Sequence, residues 1–307
     1  MDTETAAAQL VARLAEIGPL AVAFSGGVDS ALVLAAAVRA TGPGAVLAVT
    51  ADSASLATAE LTAAVAFADH LGVRHLTPET TELDNPGYAA NGRDRCYFCK
   101  STVLDTITAV AADNGLTAVA TGTNADDARD PFRPGIRAGD EIGVHTPLRD
   151  LAMTKADVRA VSRLWGLSTW DKPAMPCLAS RVRYGLTITP ARLARVQRAE
   201  VAVRTWLAEA GTPARDLRVR DLGDIGRSSS TRISPACRRS GRRWPSWSAR
   251  PGSRAPSSRC SGQGLSTTSE RLSPWSATIK GNVHNRRKGV RSGQTASSRL
   301  EVDWRTP

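Results

Sequence analysis

The chain could do chemistry at six consecutive residues, Ser25, Gly26, Gly27, Val28, Asp29 and Ser30, and at three cysteines, Cys96, Cys99 and Cys177. The six follow an apolar run at 20–24. After them Ala31, Leu32, Val33, Ala36 and Ala37 recur at helical spacing. Two glycines let a backbone fold close around a ligand. A helix start adds unpaired amide hydrogens and the positive end of its dipole. A strand, a Ser-Gly-Gly turn and a helix in that order make a cradle for phosphate. No lysine follows the glycines, so this is not the Gly-x-x-x-x-Gly-Lys-Ser/Thr cradle.

Cys96 and Cys99 stand in the run Arg95-Cys-Tyr-Phe-Cys-Lys100, and Cys177 in Pro176-Cys-Leu-Ala-Ser180-Arg181. A Cys-x-x-Cys pair is compatible with a redox dithiol, half of a zinc site or half of an iron–sulfur site. The basic neighbours Arg95 and Lys100 predict thiol pKa values below the free value of about 8.5. Cys177, between Pro176 and a Ser-Arg pair, is expected in an exposed loop and not as a small core residue. The remaining two cysteines, Cys237 and Cys260, fall in a C-terminal tail of different character.

These residues need elements to position them. Strands are predicted at 20–24, 45–50, 74–77 and 118–122, and helices at 1–20, 30–40, 56–71, 98–114 and 155–165. Short apolar strands alternating with helices predict an α/β fold, a parallel sheet covered on both faces. Ligands of such sheets bind beyond the carboxyl ends of the strands. Three polar turns fall there: Ser25–Ser30, the segment 51–55, and Gly122-Thr-Asn-Ala-Asp-Asp. A smaller α+β unit is expected from about Trp170. It holds a helix that opens at Thr189-Pro190 and stops at Gly211, then a strand carrying Arg218 and Arg220. The regular pattern breaks off after Gly226.

Charge divides the chain at the same place. Residues 227–307 carry 17 lysines and arginines against three acidic residues, leaving 23 basic and 26 acidic residues before them. The formal charge of +11 therefore belongs to the tail, and the slightly acidic body offers no nucleic-acid face. The tail is rich in Arg, Ser, Pro and Gly and too poor in aliphatic residues for a core. A disordered basic arm, a small irregular domain and a shifted reading frame of a GC-rich gene all fit it. No apolar run is long enough to cross a membrane. A cytoplasmic protein with reduced cysteines is expected.

Ser25-Gly-Gly-Val-Asp-Ser30 resembles the PP-loop of ATP pyrophosphatases, which split ATP between its α and β phosphates. Four further runs extend the likeness: Arg95-Cys-Tyr-Phe-Cys-Lys100, Gly122-Thr-Asn-Ala-Asp-Asp127, Arg133-Pro-Gly135 and Trp170-Asp-Lys-Pro-Ala-Met-Pro-Cys177-Leu-Ala-Ser-Arg181. With them the chain resembles the LarE-type sulfur transferases of nickel-pincer cofactor synthesis, over roughly residues 5–226. The resemblance implies a PP-loop domain at 1–169, a smaller substrate and oligomerisation domain at 170–226, and a homo-oligomer. It implies ATP-dependent adenylation of a carboxylate of a pyridinium-3,5-dicarboxylate mononucleotide, then conversion to a thiocarboxylate.

In that scheme Ser25 to Ser30, Lys100, Asn124 and Asp127 bind ATP, and Asp29 holds Mg2+. Ser180, Arg181, Arg218 and Arg220 bind the small-molecule substrate. Cys177 is the sulfur-bearing catalytic residue, and Cys96, Cys99 and Cys177 together hold a 4Fe–4S cluster. Members with a single cysteine matching Cys177 give up its sulfur instead. A PP-loop tRNA thiolase and an inactive relic are the competing readings.

Overall fold

The computed structural model describes residues 2–129, 134–209, 211, 213–214 and 216–223, and the backbone of strands at 225–230 and 298–303. Arg133, Cys237, Cys260 and the rest of the tail lie outside the described residues. The chain divides into two compact units, Met1–Gln197 and Arg198–Pro307.

The first unit is built on four short strands, β1 (Leu20–Ala23), β2 (Val46–Val49), β3 (Arg74–Leu76) and β4 (Ala118–Ala120). They form one parallel sheet in the order β3-β2-β1-β4. Leu20 is in register with Val46 on one side and Ala118 on the other. Nine helices lie wholly within this unit among the described residues: α1 (Thr3–Ile17), α2 (Val28–Thr41), α3 (Thr58–His70), α4 (Pro86–Ala89), α5 (Arg95–Asp113), α6 (Ala125–Arg129), α7 (Pro134–Ile142), α8 (Pro147–Asp150) and α9 (Lys155–Leu164). A tenth, α10 (Pro190–Glu209), follows.

Alternation along the strands decides which face each residue serves. Leu20, Val22, Val46 and Ala48 pack on one face with Leu10 and Leu14 of α1, the buried side of α2, Ala64 and Phe67 of α3, and Val158 and Val161 of α9. Ala21, Leu47, Val49 and Val119 pack on the other, against Ile107 and Ala111 of α5. Because both faces are covered, the strands read as continuous apolar runs. The predicted α/β architecture is the one observed.

Helix ends follow their residue types. Asp2 accepts from the Thr5 amide at 2.9 Å to cap α1, and Thr154 with Asp157 forms a capping box at α9. α5 begins at Arg95, three residues before the predicted start at 98, so both cysteines of the pair lie on the helix. A third cluster joins Tyr88 to Leu178, Ala179, Val182, Ile188, Leu193 and Val196, so the segment around Cys177 packs within the first unit.

At the sheet edge, the Thr50 hydroxyl donates to the Phe24 carbonyl at 2.5 Å, and His75 Nε2 lies 2.8 Å from the same hydroxyl oxygen. A hydroxyl has one proton to give, so His75 Nε2–H must be the donor to Thr50. Burial lowers the His75 pKa from its ordinary 6.5, with Asp69 opposing. Folding therefore favours the neutral ring. Stability from this group is complete above pH 6.5 and declines as pH falls through 6.5 toward the lowered folded value. A thermal-midpoint series between about pH 7 and 5 should show that decline, and His75→Gln should flatten it.

In the second unit Val203, Leu207 and Leu217 form a small core with Trp206 and Ala214. Strand β5 (Arg218–Asp221) pairs antiparallel with β6 (Ile225–Ser230), and β6 with β7 (Ser298–Asp303). The regular pattern expected to break at Gly226 thus continues as backbone pairing to Ser230. Main-chain hydrogen bonds need no apolar alternation, which was the signal used to find the end.

Candidate functional site

The Ser-Gly-Gly turn takes the predicted strand–turn–helix form. β1 ends at Ala23, Gly26 turns the backbone at φ +69°, and Gly27 is the N-cap of α2 with no side-chain cap. The helix's first amides are therefore left for a ligand. A Cβ on Gly26 would lie 3.3 Å from the Ala64 Cβ, besides forcing an L-residue into the left-handed region. Ser30 sits behind the turn: its Oγ accepts from the Ser25 amide at 3.2 Å, lies 3.1 Å from Ser25 Oγ, and is 3.2 Å from the Gly27 carbonyl. Ser30 thereby shapes the loop from inside.

Asp29 and the turn after β4 meet at the cradle's side. Asn124 Nδ2 donates to Asp29 Oδ1 at 3.1 Å, while Asn124 Oδ1 accepts from the amides of Asp126 and Asp127 at 3.0 Å each. One buried asparagine thus caps α6 and orients Asp29. Asp127 Oδ2 lies 3.4 Å from the Asn124 amide, so its carboxylate braces the same turn. Gly122 makes the meeting possible, since a Cβ there would lie 2.6 Å from the Ser30 nitrogen.

Two lysines missed by sequence reasoning complete this region. Lys155 Nζ pairs with Asp29 Oδ2. Lys172 Nζ donates to the Gly26 carbonyl and to Glu60 Oε2, both at 2.8 Å, with both charged side chains under one-fifth exposed. Lys172 stands in the Trp170–Cys177 run, which was the available signal; Lys155 had none. Lys172→Met strands the Glu60 carboxylate and releases the cradle carbonyl. We expect a loss of about 1.5–3 kcal/mol, or at least tenfold in ATP affinity, read by nucleotide titration.

The cysteine segment is assembled from distant stretches. Cys96, Cys99 and Cys177 are free thiols, with Cys96 and Cys177 exposed. Cys177 precedes a 3-10 turn, Leu178–Arg181, whose first amide donates to the Ser55 carbonyl at 2.8 Å. Ser180 Oγ donates to the Cys177 carbonyl at 2.7 Å. Arg181 is 2 % exposed, and its Nη1 donates to the carbonyls of Pro176 and Cys177. Its guanidinium is folded into the turn.

The thiols reverse one expectation. Burial pushes the Cys99 thiol up to about 12, reinforced by Cys177, Glu82 and Cys96, while Lys100 only partly opposes the rise. Although Cys177 keeps an exposed surface, the protein packed around its sulfur raises its pKa, against a hydrogen bond from the Ser180 backbone and the charges of Arg95 and Arg181. The prediction that basic neighbours would lower the thiol pKa fails for Cys99 because desolvation outweighs a partly screened charge. Lys100 is itself lowered by burial, with Cys99 acting in the opposite direction.

For a metal, the fit is one of donor type. Cys96 and Cys99 share the start of α5, and Cys99 packs against the cluster that holds Leu178, the residue after Cys177, so soft sulfur donors are gathered in one region. Among the described residues, no three Cys, His, Asp or Glu side chains are already disposed around a single ion. The Asp29 carboxylate suits a hard cation such as magnesium. Arg218 and Arg220 lie in the second unit on β5, where Val219 and Asp221 are buried and Arg220 is exposed.

A parallel α/β sheet whose first strand opens into a Ser-Gly-Gly turn at a helix N-terminus defines a PP-loop enzyme, one that uses ATP. The asparagine synthase family model matches residues 4–127. A protein of Synechocystis described as uncharacterized is 48% identical over 189 residues, 62% of this chain and 70% of its own length. The pyridinium-3,5-bisthiocarboxylic acid mononucleotide synthase of Lactiplantibacillus plantarum is 35% identical over 223 residues, 73% of this chain and 78% of its own. An uncharacterized protein of Methanocaldococcus jannaschii is 27% identical over 135 residues, covering half of that protein. The chain belongs to the LarE-type family of ATP-using sulfur transferases, that of the Lactiplantibacillus synthase. Among the described residues, no helix is long and apolar enough to cross a membrane.

Proposed function

We propose that the chain adenylates a carboxylate of a pyridinium-3,5-dicarboxylate mononucleotide and converts it to a thiocarboxylate for a nickel-pincer cofactor. The observation that supports this best is the Lys172 bridge: the residue five positions before Cys177 is bonded directly to the Gly26 carbonyl of the phosphate cradle. The Ser25–Ser30 turn and the run carrying Cys177 lie in the same compact unit, which supports this reading.

A carboxylate is a poor electrophile. Its oxygen attacks the α-phosphorus of ATP, the bond to the β-phosphate oxygen breaks, and pyrophosphate leaves with the electron pair. The α2 amides at Gly27 and beyond receive the pyrophosphate, and Lys155 supplies positive charge beside Asp29. Magnesium held through Asp29 would offset phosphate charge. A deprotonated sulfur then attacks the acyl carbon, and the carbon–oxygen bond to AMP breaks. Arg218 and Arg220, on one face of β5, suit a phosphate monoester.

Cys177 is the residue we assign to sulfur delivery, with Cys96 and Cys99 as co-ligands of a 4Fe–4S cluster. Such a cluster would supply a replaceable sulfide, whereas a chain without it spends the Cys177 sulfur once. Anaerobic purification with iron and sulfide analysis, combined with ATP–pyrophosphate exchange, tests the reading. Exchange that depends on the pyridinium nucleotide supports it, and exchange that instead requires tRNA refutes it. Iron near zero with one sulfur delivered per chain would replace the cluster by the sacrificial route.

A further inference from the structure

Cys177 lies 78 residues beyond Cys99, yet Phe98 and Cys99 pack against the cluster that holds Leu178 and Ala179 of the turn that follows Cys177, so something must hold that turn against α5. The contacts that do so centre on Asn91. It is fully buried, and it is one of only two described non-glycine residues with positive φ, at +55°. Its Nδ2 donates to the carbonyls of Arg183 and Leu186 at 2.9 Å each. Its Oδ1 accepts from Arg95 Nη1 at 2.6 Å. Its own carbonyl accepts from the Gly185 amide at 3.3 Å.

Arg95 continues the connection. It opens α5, is 5 % exposed, and donates from Nη1 to the Ala179 carbonyl at 3.1 Å, two residues after Cys177. Its guanidinium also lies 5.2 Å from the centre of the Tyr184 ring. Arg95 is thus bonded to both sides of the gap: it immediately precedes Cys96 on the helix and holds the turn that carries Cys177. A buried asparagine in a left-handed conformation, with donors and acceptor all engaged across this gap, is costly to maintain unless the closure matters.

We infer that Asn91 and Arg95 are positioning residues whose paired hydrogen bonds seat the Cys177 turn over the Cys96–Cys99 helix start. This rests on the reading that Cys177 delivers sulfur beside the other two cysteines, but it concerns geometry and is tested apart from turnover. Neither side chain is assigned contact with substrate.

The experiment uses the full chain, a short bismaleimide that adds to two nearby thiols, and peptide mapping of linked Cys177 to Cys96 or Cys99. In Asn91→Ala and in Arg95→Met, linkage should fall about tenfold, the population change expected from losing one buried hydrogen bond. ATP binding, read by nucleotide titration, should stay within twofold of the parent. Guanidinium at sub-denaturing concentration should restore part of the linkage in Arg95→Ala and do nothing for Asn91→Ala. Asn91→Gly keeps the left-handed backbone without the amide, so it should be more stable than Asn91→Ala and still lose linkage. Unchanged linkage in Asn91→Gly and Arg95→Met overturns the inference. Linkage lost together with ATP binding also overturns it, by showing a general structural role. Failure of the functional reading would look different: a parent chain that cross-links normally but shows no exchange with the pyridinium nucleotide.

Discussion

Cys177→Ser is expected to abolish thiocarboxylate formation while leaving adenylation intact. Serine is nearly isosteric, and the turn is held by backbone and by Arg181, not by the thiol: the Leu178 amide bonds to Ser55 and Arg181 to the carbonyls of Pro176 and Cys177. The cradle at Ser25–Ser30 makes no hydrogen bond to the Cys177 side chain among the described contacts. Product measured by mass spectrometry should therefore drop at least about 10³-fold, the scale on which removing a nucleophile acts. ATP–pyrophosphate exchange in the same preparation should remain within a few-fold of the parent. Retained product would remove Cys177 from sulfur delivery. Loss of exchange along with product would show instead that the residue serves the nucleotide step.

Gly122→Ala is expected to be the most damaging single methyl group that can be added near the cradle. The new Cβ would lie 2.6 Å from the Ser30 nitrogen, 2.8 Å from the Asp29 carbonyl carbon and 3.0 Å from the Asp29 Cβ. Two of these are backbone atoms of α2's first turn, so no side chain can swing aside. Either β4 separates from α2 or the helix start shifts, and the Asn124–Asp29 contact goes with it. Overpacking of this kind costs about 1–3 kcal/mol and more where backbone must move. We expect a loss of about 3 kcal/mol in denaturant unfolding and ATP affinity reduced beyond tenfold. Two controls grade the cause. Gly26→Ala imposes left-handed strain of about 1–2 kcal/mol and a 3.3 Å contact with Ala64. Gly27→Ala meets only Ser25 Oγ at 3.4 Å, an ordinary contact, and should barely change folding. A Gly122→Ala chain as stable as Gly27→Ala would refute the close-approach argument.

Much of this molecule is legible along the chain because its information is local. A Ser-Gly-Gly turn between an apolar run and a helical repeat can be read within six residues, since positive φ and free helix amides are properties of a short segment. The strand positions were legible for a similar reason, as burial on both faces writes a continuous apolar run. Helix starts were less so: α5 begins at Arg95, where no side-chain cap marks the end.

Amino-acid order by itself therefore determined the cradle, the parallel α/β frame and the pair of Cys-bearing segments. Only the tertiary structure decided what those segments experience. Lys155 meets Asp29 across 126 positions, and Lys172 meets Gly26 across 146, pairings that no local spacing encodes. The state of the thiols was decided the same way. Arg95 and Lys100 are neighbours in sequence, but Cys99 packs beside the Tyr88 and Leu178 cluster and answers to that burial first. A charge's sign can be read from the residue beside it, whereas the dielectric around it is set by everything the fold packs near.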